Sequence, residues 1–254
     1  MIAAHDEEVR MDSETSQMLE ELRTATRILV REGVLDGFGH VSVRSPTEPG
    51  GYFMLRSNSG EAMEPDRYVE LTIDSEPVRQ GGPRPSIERF IHGEVYRARP
   101  DVKAVVHTHS PALIPFGVGK TPLRPLYHMC GFLPAAVPVF DIRLEHGMTN
   151  MLITTPVLGR SLANALGTTA MVLMRGHGAT LVGTSLREAV FRAVYATINA
   201  QLQPIAMQLG DPTYLAPEEA AQADELHRFT LNRSWDFWKE KLGDACMSAA
   251  PQRP

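Results

Sequence analysis

Two histidines stand two residues apart in Val105-Val106-His107-Thr108-His109. If that segment is a strand, alternation turns both imidazoles to one face and Thr108 to the other. A third histidine, His177, lies in Arg175-Gly-His-Gly178 directly after the apolar run Met171 to Met174. Its flanking glycines permit a tight turn and leave the ring free to converge on the same site. Each signal alone also fits an ordinary solvated or turn histidine. Together, three neutral imidazoles with a coordination position left open describe a catalytic divalent site, since a structural one is closed by a fourth protein ligand. One Zn2+ or Mn2+ ion per chain suits such donors. Glu88, near the start of the helical segment before this strand, can fold back over the same sheet end, where a carboxylate could bind the ion or shuttle a proton. In the loop Arg56-Ser-Asn-Ser-Gly60, the backbone N–H groups around Ser59 and Gly60 can accept a carboxylate.

The elements that must carry these residues are legible in the spacing of apolar positions. Met18, Leu19, Leu22, Ala25, Ile28 and Leu29 recur at helical intervals between Thr15 and Glu32, and Gly33 offers the stop. Three short segments rich in Val, Phe, Tyr and Ile, namely His40 to Arg44, Tyr52 to Arg56 and Tyr68 to Asp74, read as successive sheet strands. A second helical pattern runs from Ser86 to Arg99 and stops at Pro100. Ala104 to His109 and Met171 to Met174 are strand candidates, and a long helix follows from Ser185 to about Leu209. A last helix runs from Pro217 to about Leu242, opening on Pro-Glu-Glu as helix N-termini favour. The expectation is one α/β domain over residues 13–242, with residues 1–12 and 243–254 as flexible termini.

A length of 254 residues suffices for one large domain with an ample core. A net charge of -5 and a pI near 6.0 offer no attraction for nucleic acid or anionic lipid, and no basic run supplies one locally. The start carries Asp6, Glu7 and Glu8 where a secretory signal needs a basic end and an apolar run, and no stretch is long and apolar enough to span a membrane. Cys130 and Cys246 form no C-x-x-C pair. A cytoplasmic protein acting on a small carboxylate-bearing molecule is expected.

Four blocks in order carry a resemblance: Gly39-His-Val-Ser-Val-Arg44, Pro85-Ser-Ile-Glu88, Arg99-Pro-Asp-Val-Lys-Ala-Val-Val-His-Thr-His-Ser110, and Arg175-Gly-His-Gly178 followed by a long helix. Over roughly Thr15 to Trp238 the chain resembles the class II aldolase/adducin family. The resemblance implies that His107, His109 and His177 hold the divalent metal and that Glu88 is the acid/base. It also implies a central, mainly antiparallel sheet of nine strands flanked by helices, and a C4 homotetramer with active sites between neighbours.

Departures from the sugar-phosphate aldolases of that family bear on the substrate. His40 stands where they carry Asn, and in the Pro-Ser-x-Glu block Ser86 is kept while Ile87 replaces the second Ser. A phosphate would lose hydrogen bonds it needs, whereas a smaller anion would not. Tyr127 and His128 precede Met129, which occupies the place of their tyrosine proton donor, and are candidates for proton delivery; packing residues are the equal alternative. Arg124, Arg143 and Arg175 could pair with substrate carboxylates. The chain looks closest to the family's decarboxylases, which act on hydroxylated aromatic or ring-cleaved dicarboxylates such as 3,4-dihydroxyphthalate. Decarboxylation through a metal-stabilised enolate is therefore the leading expectation. The alternative is retro-aldol cleavage of a non-phosphorylated 2-keto acid or hydroxy-aldehyde. A non-catalytic scaffold of the adducin kind is disfavoured by the retained histidines and Glu88.

Overall fold

The computed structural model describes residues 13–55, 68–79, 81–82 and 84–248. The apolar stripe from Leu19 to Leu29 forms helix α1 (Ser13–Arg31), buried along Leu22, Ala25 and Ile28, and Gly33 closes it at φ +69. Strands β1 (His40–Arg44), β2 (Tyr52–Leu55) and β3 (Tyr68–Leu71) follow as an antiparallel meander. The third is shorter than its sequence suggests, because the chain turns at 72–75 with the Ser75 N–H donating to the Thr72 carbonyl. Helix α2 (Arg89–Ala98) leads to β4 (Ala104–Thr108), which lies between β1 and β7 (Gly178–Gly183) in the sheet order β3-β2-β1-β4-β7-β6-β5. Strands β6 (Met171–Met174) and β5 (Val139–Phe140) complete it, and β5–β6 is the parallel pair in an otherwise antiparallel sheet. The described residues thus form seven strands, two fewer than the resemblance implies.

Helices cover both faces. Val41, Val43, Ala104, Val106, Ala179 and Leu181 pack toward α1, the long α6 (Leu186–Leu209) and α8 (Leu231–Ser248). Val105, Val172 and Val182 pack toward α2 and α5 (Pro156–Leu166). Because side chains alternate along a strand, His40 and Ser42 of β1 and His107 of β4 share the α2 side with Val105. Thr108 has the opposite parity, and its hydroxyl donates to the Val34 carbonyl beneath α1.

Three elements between β4 and β6 lack a long apolar period: α3 (Ile114–Val118), α4 (Arg143–His146) and the two-residue β5. Helix α5 does carry a local signal, since Thr155 caps it by accepting the Leu158 N–H, Pro156 opens it and Gly167 ends it. The final helix is two helices, α7 (Pro217–Arg228) and α8. The Thr230 N–H and hydroxyl both donate to the His227 carbonyl and tighten the chain into a turn there. Helix α8 continues past Leu242 to Ser248, while residues 1–12 and 249–254 lie outside the described residues. Among the described residues no helix is long and apolar enough to cross a membrane.

Candidate metal centre and active site

The end of β4, the β6–β7 turn and the start of α2 meet at one place. Potential ligand atoms of Glu88, His107, His109 and His177 lie within 4.8 Å of one another. His107 reaches it from the last turn of the buried strand, 0% exposed, with its Nε2 3.0 Å from His109 Nε2. His177 arrives from the three-residue connection between β6 and β7. Gly176 there adopts φ +65, and Gly178 passes so close to β4 that a Cβ would lie 2.0 Å from the Thr108 carbonyl oxygen. The Glu88 carboxylate comes from the residue before α2, with Oε2 3.6 Å from His177 Nε2 and 3.9 Å from His107 Nε2.

Contacts behind the cluster aim these groups. Asp36 receives His109 Nδ1 at 3.2 Å, and His177 Nδ1 donates to the Met151 carbonyl at 3.1 Å, so both rings turn Nε2 inward. Glu88 Oε1 accepts the Ile153 N–H at 2.9 Å. The Ser86 hydroxyl accepts the Glu88 N–H at 3.2 Å, so Ser86 holds the start of α2. Burial would raise the Glu88 carboxyl, but the contact with the His177 ring and the Ile153 N–H oppose it and hold the carboxyl below its ordinary value. Burial first, then the neighbouring His40, drives His107 well below the usual imidazole value, so the ring is a neutral nitrogen donor. Inward-facing ring nitrogens, an ionised carboxylate and outer contacts that fix the His109 and His177 rings form a donor set that fits a divalent ion.

Of the other candidates, His40 lies opposite His107 in the β1–β4 register, with ring centroids 5.0 Å apart. Ser59 and Gly60 lie outside the described residues. Tyr127 and His128 are not brought to this cluster within the chain. Tyr127 packs against the α1/α6 side of the core, and His128 Nδ1 lies 3.1 Å from His227 Nε2 of α7. Arg143 and Arg175 both bind Asp141, and Arg124 stacks on Tyr214 while its side chain donates to the Ala135 carbonyl. Four residues near the site escape a reading by motif: Asp36, Ser42, His92 and Tyr96. Three had a usable signal. Glu88, His92 and Tyr96 recur every fourth residue and so share a face of α2, and Ser42 is two residues from His40 on the same strand face.

Residues 20–203 match the Class II Aldolase and Adducin N-terminal domain, and the chain belongs to that family. It is 39% identical to the decarboxylase tropJ of Talaromyces stipitatus over 239 residues, covering 85% of this chain and 90% of that protein. Against a 3,4-dihydroxyphthalate decarboxylase of Arthrobacter keyseri it is 31% identical, covering 69% of this chain and 73% of the other. The crystal structure of an aldolase II superfamily protein from Pseudomonas syringae shares the fold with a TM-score of 0.76 at 19% identity, over 93% of this chain and 96% of that one. The chain is accordingly a carbon–carbon lyase whose relatives include decarboxylases.

Proposed function

We propose that the protein is a divalent-metal-dependent decarboxylase of a hydroxylated aromatic or ring-cleaved dicarboxylate. The convergence of His107, His109, His177 and Glu88 within 4.8 Å carries the reading. His107, His109 and His177 would hold a divalent ion, which would supply Lewis-acid stabilisation of the negative charge that loss of CO2 leaves in the substrate. The chain's own groups manage the proton. Glu88, ionised at neutral pH, accepts the proton of the substrate hydroxyl and returns it to the carbon that CO2 has left. Its fixed hydrogen bond from Ile153 keeps the second oxygen free for that exchange. Ile87, 56% exposed beside Glu88, offers an apolar surface to a planar ring and no hydroxyl to a phosphate. His40 and Ser86 border the substrate, with Ser59 and Gly60 as backbone donors to its carboxylate.

The assay supplies 3,4-dihydroxyphthalate and short keto acids to metal-loaded protein. Release of CO2 supports the reading, and release of an aldehyde without CO2 replaces it with retro-aldol cleavage. The same proposal includes a homotetramer with sites between neighbours, which would bring Tyr127 and His128 to a neighbouring site to return a proton to the product's hydroxyl oxygen. Phe38, 80% exposed beside Asp36, is the kind of apolar side chain that such a contact would cover. Light scattering at micromolar concentration would read four chains per particle; a monomer would remove the assembly and the roles of Tyr127 and His128 with it.

A further inference from the structure

Behind His40 a line of polar side chains runs into the core between the sheet and α2. His40 Nδ1 lies 2.7 Å from His92 Nε2, His92 Nδ1 lies 2.6 Å from Ser42 Oγ, and Ser42 Oγ lies 2.8 Å from the Tyr96 hydroxyl. All four residues are buried, and Tyr52 stacks on His92 at 6.2 Å between centroids. On the other side of its ring, His40 Nε2 is buried without a hydrogen-bond partner, next to the His107 ring. A buried polar nitrogen without a partner is expensive and uncommon, so it asks for a ligand.

Neutral rings allow three orders that make every link, and the two in which His40 donates inward leave a hydroxyl proton of Tyr96 or of Ser42 without an acceptor in this chain of contacts. If Tyr96 donates to Ser42, Ser42 donates to His92 Nδ1 and His92 Nε2–H donates to His40 Nδ1, every link is made and the His40 proton sits on Nε2. Under the reverse order His40 donates inward and Ser42 donates to Tyr96, so the Tyr96 proton must find another acceptor. Among the described residues, Ser42 is the side chain that bonds to that hydroxyl. The reverse order therefore strands a hydroxyl proton in the core, where an unmet donor is costly. Under the forward order the unmet donor is instead His40 Nε2–H, beside the His107 ring. Burial pushes the His92 pKa down to about 3, so His92 is neutral with the single ring proton this relay needs.

We infer that Tyr96, Ser42 and His92 are positioning residues that place the proton of His40 on Nε2, giving the site an N–H donor for an oxygen of an anionic substrate. The identity of that substrate as a carboxylate rests on the decarboxylase reading above; the order of the protons does not. This order distinguishes His40 from a mere acceptor for the neighbouring His107 Nδ1, the other unpartnered ring nitrogen there.

Neutron diffraction from perdeuterated, Zn2+-saturated protein tests it directly. Deuterium on Nε2 of both His40 and His92 is expected; deuterium on Nδ1 of His40 overturns the inference. The map is read without turnover, so its failure is separate from failure of the decarboxylase reading. Steady-state kinetics with 3,4-dihydroxyphthalate supply the second arm. Ser42→Ala should retain full metal content and raise KM about tenfold with little change in kcat, the pattern of a weakened substrate hydrogen bond. Ser42→Thr, which keeps the hydroxyl, should restore KM. An unchanged KM in Ser42→Ala would show that the chain does not govern what His40 offers the substrate.

Discussion

Asp36 and His109 meet behind the cluster, with His109 Nδ1 3.2 Å from Oδ1 and 3.3 Å from Oδ2 of the carboxylate. Partial burial would raise the Asp36 carboxyl, but N–H groups of Phe38 and Gly39 and the His109 ring hold it below its ordinary value. Asp36 is therefore an ionised acceptor that fixes which nitrogen of His109 keeps its proton. Asp36→Asn should weaken metal binding about 10–100-fold without removing a ligand, as measured by chelator competition. His107→Ala and His109→Ala should each lose most of the roughly one divalent ion per chain that the three-histidine site would hold. Undiminished metal in both, by elemental analysis, would end the metal assignment.

Glu88→Gln preserves the shape at Ile153 and removes the proton acceptor. Turnover should fall about 10²–10⁴-fold with the metal retained. If turnover survives with metal bound, the proton passes through another group, and His128 from a neighbouring chain is the first to examine.

The buried imidazole of His92 gives stability a specific pH dependence. Its folded pKa of about 3 lies below the ordinary imidazole value of 6.5, so between these the unfolded chain binds a proton the native one refuses. The linkage slope is then positive, with full stability above about pH 6.5 and a loss of at most about 1.4 kcal/mol per pH unit on acidification. His92→Phe should flatten that part of the profile. Denaturant unfolding at pH 7 and pH 5 reads it, and an identical pH difference in both proteins would mean that His92 does not titrate in this way.

Specificity should follow Ile87 and His40. A site lacking the second serine hydroxyl of the phosphate aldolases should favour a planar carboxylate over a sugar phosphate in kcat/KM, because donors matched to one anion leave another unmet. Comparing 3,4-dihydroxyphthalate with fuculose 1-phosphate on one metal-loaded sample reads the ratio. Efficient cleavage of the sugar phosphate with no CO2 from any acid would reverse the ranking.

The candidate ligands His107, His109 and His177 and the frame around them were legible in local patterns. Alternation along a strand is local geometry, so His107 and His109 share a face in any fold that extends the segment, and Gly176 and Gly178 mark the turn that frees His177. The long helical periods of α1 and α6 were equally legible, since each needs only a repeat in one segment. What tertiary structure alone decided is which distant segments meet. Asp36 reaches His109 and Ile153 reaches Glu88 across 73 and 65 residues of chain, distances over which no periodicity carries information. The division at Thr230 into α7 and α8 goes with its N–H and hydroxyl both folding back to the His227 carbonyl, which a composition favourable to helix on both sides conceals. The same reason hides the order of the His40–His92–Ser42–Tyr96 chain. Its members are visible as spacings on one strand and one helix, but only packing of α2 on β1 makes them neighbours and seals out the water that would otherwise satisfy them.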